Sequence, residues 1–301
     1  MLSICIPIYN FDVRPLVAAL GKQMNTMSHE LELILIDDAS DIRYKELNES
    51  SCNPYNYIKL PTNIGRASIR NLFLEYARFP NLLFLDCDSL IIDDDFLMNY
   101  IKKIESSEEP IICGGRVYQS EAPGKNKMLR WKYGYRKESQ PAEVRKQAPN
   151  HSFMTNNFVV KKHLLEKIRF DERLKAYGHE DTLFGYELLK ANIRISHINN
   201  PVDNGDIEDN QLFLEKTEKG LENLALINEY MHHDPQLIDM VKLLRTAKKV
   251  ESLKMQWLVL LIFNILKKPM RYTFLHGLIS LLIFDFYKLG YYLKIASQQR
   301  N

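Results

Sequence analysis

Disulfide chemistry, a spanning helix and a dinucleotide loop are all missing from this chain of 301 residues. Its four cysteines, Cys5, Cys52, Cys87 and Cys113, are far apart with no CxxC, and three of them sit inside apolar runs. Free buried thiols in a reducing, cytoplasmic compartment are the expectation. No apolar run reaches the about 18 residues that a membrane-spanning helix needs. The amino-terminal MLSICIPIYN lacks the basic stretch and long apolar segment of a secretory signal, and reads as a first strand. The segment after it, PIYNFDVRP, contains no glycine. A nicotinamide dehydrogenase carries GxGxxG there, and a sugar nucleotidyltransferase carries a Gly-rich phosphate loop, so both classes are disfavoured. Nor is there excess charge: 40 Lys and Arg against 38 Asp and Glu leave +2, too little for a dedicated nucleic-acid binder.

What the chain does have is a hydrophobic fraction of 46%, enough for a large core. Its charge is uneven. Residues 240–301 hold 11 basic and two acidic side chains, a net +9, which leaves −7 for the rest. An acidic body with a basic, apolar tail points to a surface-seeking tail. Up to about residue 117 two periods alternate. Strands are expected at Ser3–Ile8, Leu31–Asp37, Tyr57–Leu60, Leu82–Asp86 and Ile111–Val117, with helices at about Arg14–Met24, Ala67–Arg78 and Asp94–Glu105. That order predicts an α/β fold, a mostly parallel sheet covered on both faces, with ligands at the carboxyl ends of its strands. Residues 118–155 read as a long loop region around LRWKYGYRKE, where Trp131 and Tyr133 either line an acceptor groove or pack a core. Beyond it come a helix led by Gly178, a short strand IRISHI, and helical patterns from Asn210 to Glu229. From about Gln236 the tail is helical, with a break expected at Pro269.

The chemistry concentrates where strands run out. LLFLDCDSLI places Asp86 and Asp88 two residues apart at a strand end. Such a pair can hold a hard divalent ion, Mg²⁺ or Mn²⁺, against a diphosphate, or can simply cap a turn. ELILIDDAS sets Asp37 and Asp38 at another strand end, and NIGRASIRN opens a helix with Asn63, Gly65, Arg66 and Arg70. Glu180 and Asp181 stand in the first turn of the helix GHEDTLFGYELL, where carboxylates also suit the helix dipole.

Taken together, SICIPIYN, IDDAS, NIGRASIRN, LDCDS and YGHEDTLFGYEL resemble the family-2 glycosyltransferases, over roughly residues 2–230. The stretch TNNFVVKKHLLEKIRFDERLKAYGHED is similar to a bacterial subgroup that builds surface polysaccharides. The resemblance implies a GT-A fold over residues 1–235, with a nucleotide-sugar half to about 117 and an acceptor half from 118, then a basic helical tail over 236–301. It implies that Asp38 bonds the nucleotide base with Tyr9 beside it, and that Asn63, Gly65, Arg66 and Arg70 line the nucleotide-sugar pocket. Asp86 is implied to contact ribose or metal, Asp88 to ligate the metal, Asp181 to be the catalytic base, and Glu180 to orient sugar or acceptor. The implied reaction is inverting transfer from a nucleotide-sugar, UDP-linked by expectation, to a glycan or lipid-linked glycan hydroxyl. An impaired sugar-nucleotide-binding subunit is the alternative.

One departure motivates that alternative. Many relatives have a metal-binding His where this chain has Asn204, and an Asn oxygen is a weaker ligand. His197 reads as a strand-end histidine before it reads as a ligand, His151 precedes a strand, and His232 and His233 read as solvated side chains. In the tail, QWLVLLIFNIL and FLHGLISLLIFDFYKLGYYL are flanked by Lys267, Lys268, Arg271, Lys288 and Lys294, with Trp257, Tyr272, Tyr287, Tyr291 and Tyr292 near their edges. In-plane helices on an anionic inner membrane face are expected; a hairpin packed on the catalytic domain or on a second copy is the alternative. On the first reading, truncation near Glu251 leaves nucleotide binding intact.

Overall fold

The computed structural model describes residues 1–174, 178–205 and 207–299. In chain order the first elements are β1 (Leu2–Ile8), α1 (Arg14–Thr26), β2 (Leu31–Asp37), α2 (Ile42–Cys52), β3 (Asn56–Lys59), α3 (Arg66–Tyr76), β4 (Asn81–Leu85), β5 (Ser89–Ile91) and α4 (Phe96–Ser106). There follow β6 (Ile111–Cys113), β7 (Arg116–Val117), α5 (Met128–Tyr133), α6 (Ala142–Arg145), β8 (Asn157–Lys161), α7 (Lys162–Lys167), α8 (Glu180–Lys190), β9 (Ser196–His197) and β10 (Val202–Asn204). Five helices complete the chain: α9 (Asn210–Tyr230), α10 (Pro235–Met240), α11 (Lys242–Ser252), α12 (Gln256–Leu275) and α13 (Leu281–Gln299).

Two compact units result. The first comprises residues 1–118, 139–174 and 187–205, and the second residues 119–138, 178–186 and 207–299. These cuts differ from the expected boundary at 235, because the tail shares a core with α5 and α9 instead of standing apart.

The first unit is a seven-stranded sheet in the order β3-β2-β1-β4-β8-β6-β9. It is mostly parallel, with β8 running antiparallel to both β4 and β6. Both faces are covered, which is why the strands read as unbroken apolar runs. Alternate residues of β1 (Leu2, Ile4, Ile6 and Ile8) join Leu16, Val17 and Leu20 of α1 and Phe96, Leu97 and Tyr100 of α4. On the other face Phe84 stacks on Phe158 at 5.1 Å and meets Phe73 of α3 edge-on. The apolar run Ile111–Val117 does not form one strand. It breaks at Gly114 and Gly115, the latter at φ +97°, and a side chain at either would strike Tyr100 or Arg145. β7 then joins β10 and β5 in a second, three-stranded sheet. The sequence pattern missed α2, which buries little besides Asn48 and Cys52. Asn48 bonds the Val13 N–H and the Phe11 carbonyl, fastening that helix by its amide.

In the second unit Leu129, Leu214, Phe263, Met270, Phe274, Phe284 and Tyr287 form one core. The stretch expected as loop thus supplies a helix, α5, whose Tyr133 meets Phe284 edge-on at 5.8 Å. Pro269 does not break the tail: α12 runs through it, held by Phe263 before it and Met270 and Phe274 after it in the same core. Glu218 of α9 accepts hydrogen bonds from Arg271 of α12 and Tyr287 of α13. Truncation near Glu251 therefore removes core, not an appendage. Phe284→Ala is expected to lower the unfolding free energy by about 3–5 kcal/mol, read by urea denaturation.

Candidate active site

The loops at the carboxyl ends of β1, β2 and β3 hold one another in place. Asn10, at φ 49°, donates its N–H to Ser40 Oγ at 2.8 Å, and its side chain accepts from the Asp41 N–H at 2.8 Å. Asp38 reaches across to the turn before α3. Its two carboxylate oxygens accept the N–H groups of Ile64 (2.7 Å) and Gly65 (3.0 Å), while Asn63 donates its amide to the Asp38 carbonyl at 3.0 Å. Gly65 stands at φ +85°, a left-handed backbone that favours glycine. Burial pushes the Asp38 carboxyl up, and those two N–H donors partly offset it. Tyr9, next to Asn10, is 54% exposed.

Arg70 is buried on α3 and donates to Asp86 Oδ1 at 3.0 Å. The resemblance placed Arg70 in the lining of a pocket; it holds the first aspartate of the strand-end pair. Arg116 stands 3.8 Å from the other oxygen of Asp86. Sequence reading missed Arg116, whose only signal was its place after the Gly114-Gly115 break. Burial opposes ionisation of Asp86, but Arg70, Arg66 and Arg116 outweigh it and hold the carboxyl below its usual range. Asp88 goes the other way: burial and the Asp86 charge push it up, against a weaker pull from Arg116 and Arg66. Between them Cys87 is pushed up to about 12 by burial and by both carboxylates.

Two neighbours complete this edge. Asn156 passes its carbonyl to the Asp86 N–H at 3.1 Å, is only 3% exposed, and has neither amide atom hydrogen-bonded. A buried amide with no partner is costly unless water or a ligand completes it. On β10, Asn204 pairs with Ser89, and the Gly205 N–H donates to the Asp88 carbonyl at 3.1 Å. The position where relatives are expected to carry a metal-binding His therefore lies one strand from Asp88. His197 is spoken for: its Nε2 donates to the Pro149 carbonyl at 2.9 Å and its Nδ1 accepts from Arg145 at 2.6 Å. Burial lowers it to about 4, so it is a neutral structural group. Among the described residues, no three His, Cys, Asp or Glu side chains converge as a ready-made metal cage.

Glu180 and Asp181 belong to the second unit and open α8. Gly178, at φ +94°, lies against Gly220 of α9 and accepts the Asn223 amide on its carbonyl. His179 follows at φ 68° and is lowered to about 4 by burial. Asp181 accepts the Thr182 N–H at 2.7 Å through Oδ1, and Glu180 is buried.

The raised Asp88 carboxyl carries a stability consequence. A carboxyl raised by folding stabilises fully below its ordinary pKa of about 4, and that contribution is lost as pH rises through the raised value. Asp88→Asn removes the conflict, so in chelator at neutral pH the variant is expected to melt above the parent, with the gap closing as pH falls towards about 4. A variant that melts lower at neutral pH contradicts the assignment.

The family profile described as glycosyl transferase family 2 matches residues 3–169. Among curated proteins, an uncharacterized glycosyltransferase of Haemophilus influenzae is 35% identical over 31% of this chain and 38% of its own length. The uncharacterized glycosyltransferase YfnE of Bacillus subtilis is 26% identical over 64% of this chain and 61% of its own. A teichoic acid poly(glycerol phosphate) polymerase of Staphylococcus epidermidis is 27% identical over 63% of this chain and 26% of its own. The chain thus spans less than two thirds of each of these relatives. Among solved structures, the mannosyltransferase PcManGT of Pyrobaculum calidifontis, in complex with GDP-Man and Mn²⁺, superposes with a TM-score of 0.61 at 14% identity, over 99% of this chain and 86% of that one. TarS 1–349 of S. aureus, in complex with UDP, superposes with a TM-score of 0.51 at 20% identity, over 99% and 91%. With the profile spanning more than half the chain and the sheet and its strand-end carboxylates in place, this chain belongs to glycosyl transferase family 2.

Proposed function

We propose that the chain transfers a hexosyl or N-acetylhexosaminyl group, with inversion, from a nucleotide-sugar to a hydroxyl of a glycan or lipid-linked glycan in surface-polysaccharide synthesis. The observation that carries this reading is the Asp86–Asp88 turn at the end of β4, one carboxyl paired with Arg70 and the other raised by burial. The nucleotide complexes of PcManGT and TarS support a nucleotide-sugar donor, UDP-linked in our reading, and the teichoic acid relative supports a surface-polymer acceptor. The net +9 of residues 240–301 supports work at the inner face of the cell membrane.

Oxygen donors suit Mg²⁺ or Mn²⁺, and the Asp88 carboxyl, raised by burial and by the Asp86 charge with Asn204 one strand away, fits a hard cation. In our assignment Asp88 holds the cation, Asn204 assists, and Asp86, already engaged by Arg70, serves chiefly the ribose. Bound there with a diphosphate, the cation supplies neutralisation of the leaving charge. Tyr9 stacks on the base, and the Asp38–Gly65 turn with Asn63 shapes its pocket. Arg66, exposed at the start of α3, offers its guanidinium to the diphosphate. Asp181 takes the proton of the acceptor hydroxyl as that oxygen attacks the anomeric carbon, and Glu180 orients the sugar. One base and one in-line displacement invert the configuration.

Two substitutions test these roles. Asp88→Ala is expected to abolish the Mn²⁺-dependent part of nucleotide-induced thermal stabilisation; unchanged stabilisation removes Asp88 from the metal site. Asp181→Asn is expected to retain donor binding while transfer falls about 10²-fold or more. Near-parental transfer gives the base to another residue. If the parent chain binds donor but transfers nothing to any acceptor, it is a sugar-nucleotide-binding subunit, the reading that Asn204 favours.

A further inference from the structure

The outer side of α12 is apolar. Trp257, Leu261, Ile265 and Tyr272 are 67%, 51%, 66% and 61% exposed. Their spacings of four, four and seven residues set them in one stripe along the helix. The buried Phe263, Met270 and Phe274 occupy the opposite side, so α12 has two apolar faces and the core uses one. At the Tyr272 end of the α12–α13 hairpin, Leu278 and Leu282 are also exposed. Contiguous apolar surface of this kind marks an interaction site.

The charge around the stripe selects the partner. Between Glu251 and Asp285 there is no carboxylate, while Lys254, Lys267, Lys268 and Arg271 all fall in that interval. Lys254 and Lys268 are exposed, and Lys268 lies on the stripe between Ile265 and Tyr272. A second copy docked on the same face by two-fold symmetry brings cation to cation, with no acid in the segment to compensate. An anionic bilayer presents an apolar boundary beneath a layer of negative charge, and a Lys stem can lie along the boundary while its ammonium reaches the phosphates. Trp and Tyr favour that depth. No described helix is long and apolar enough to cross a membrane, which leaves α12 an in-plane role.

We infer that α12 lies in the plane of an anionic membrane surface, with Trp257, Leu261, Ile265 and Tyr272 in the headgroup–acyl boundary and Lys254 and Lys268 on lipid phosphates. This rests on the peripheral location proposed above and names the element that produces it.

The test uses the full chain and vesicles of phosphatidylcholine with or without phosphatidylglycerol. Tryptophan emission is expected to shift to the blue and to be quenched by brominated lipid on anionic vesicles, and Trp257→Phe is expected to remove that response while leaving Trp131. Leu261→Ser and Ile265→Ser are each expected to weaken partitioning about tenfold. Both positions are exposed, and an unchanged thermal melt checks that the variants fold. Binding that high salt fully reverses, with no emission shift, keeps the location but overturns the inserted helix. No vesicle binding at all overturns the location itself. A concentration-dependent dimer that the serine variants abolish, without vesicle uptake, overturns the inference in favour of a second copy.

Discussion

The contact between Arg70 and Asp86 is the one on which the rest of the strand-end cluster depends. It ties α3 to the end of β4 through a guanidinium that is itself buried. Burying such a pair is costly, and well-packed apolar residues could replace it at little loss. Its value here lies in what it fixes. With Asp86 held in the charged state, the turn to Asp88 starts from a set position, and the neighbouring carboxyl inherits the repulsion. The same helix begins at Gly65, which Asp38 holds from β2. Two aspartates, one just after β2 and one just after β4, therefore clamp α3 at the turn that precedes it and at its second turn.

Much of this was legible in the residues, for a physical reason. A sheet buried on both faces writes itself as apolar runs ending in polar punctuation, so β1, β2 and β4 and the aspartates at their ends could be placed closely. Strand direction leaves no such mark: nothing in NFVVK distinguishes the antiparallel β8 from its parallel neighbours. The helix α2 was silent because it is fastened by one asparagine amide instead of an apolar stripe. Arg70 could be seen, but its partner 16 residues away could not, since a helix pattern reports neighbours at three and four positions. Arg116 and Asn156 were invisible for the same cause, being brought to Asp86 by strand pairing alone.

The tail misled for a different reason. Its two apolar stretches carry more hydrophobic surface than one core uses, and the packing alternative accounts for the part that is buried. Phe263, Phe274, Phe284 and Tyr287 belong to the fold. Pro269 was read as a stop because proline removes a helical hydrogen bond. Packing on both sides of it within one core keeps the helix continuous, a case of tertiary context overriding local propensity.

Cys87 sits between the two aspartates with a thiol pushed up to about 12. Nucleophilic attack and oxidation both proceed through the thiolate, which burial and the two neighbouring carboxylates disfavour. A sulfur placed at the heart of a polar site is thereby made chemically mute. Alkylating reagents and peroxide should react with it slowly, burial giving most of that protection and the two carboxylates beside it adding to it.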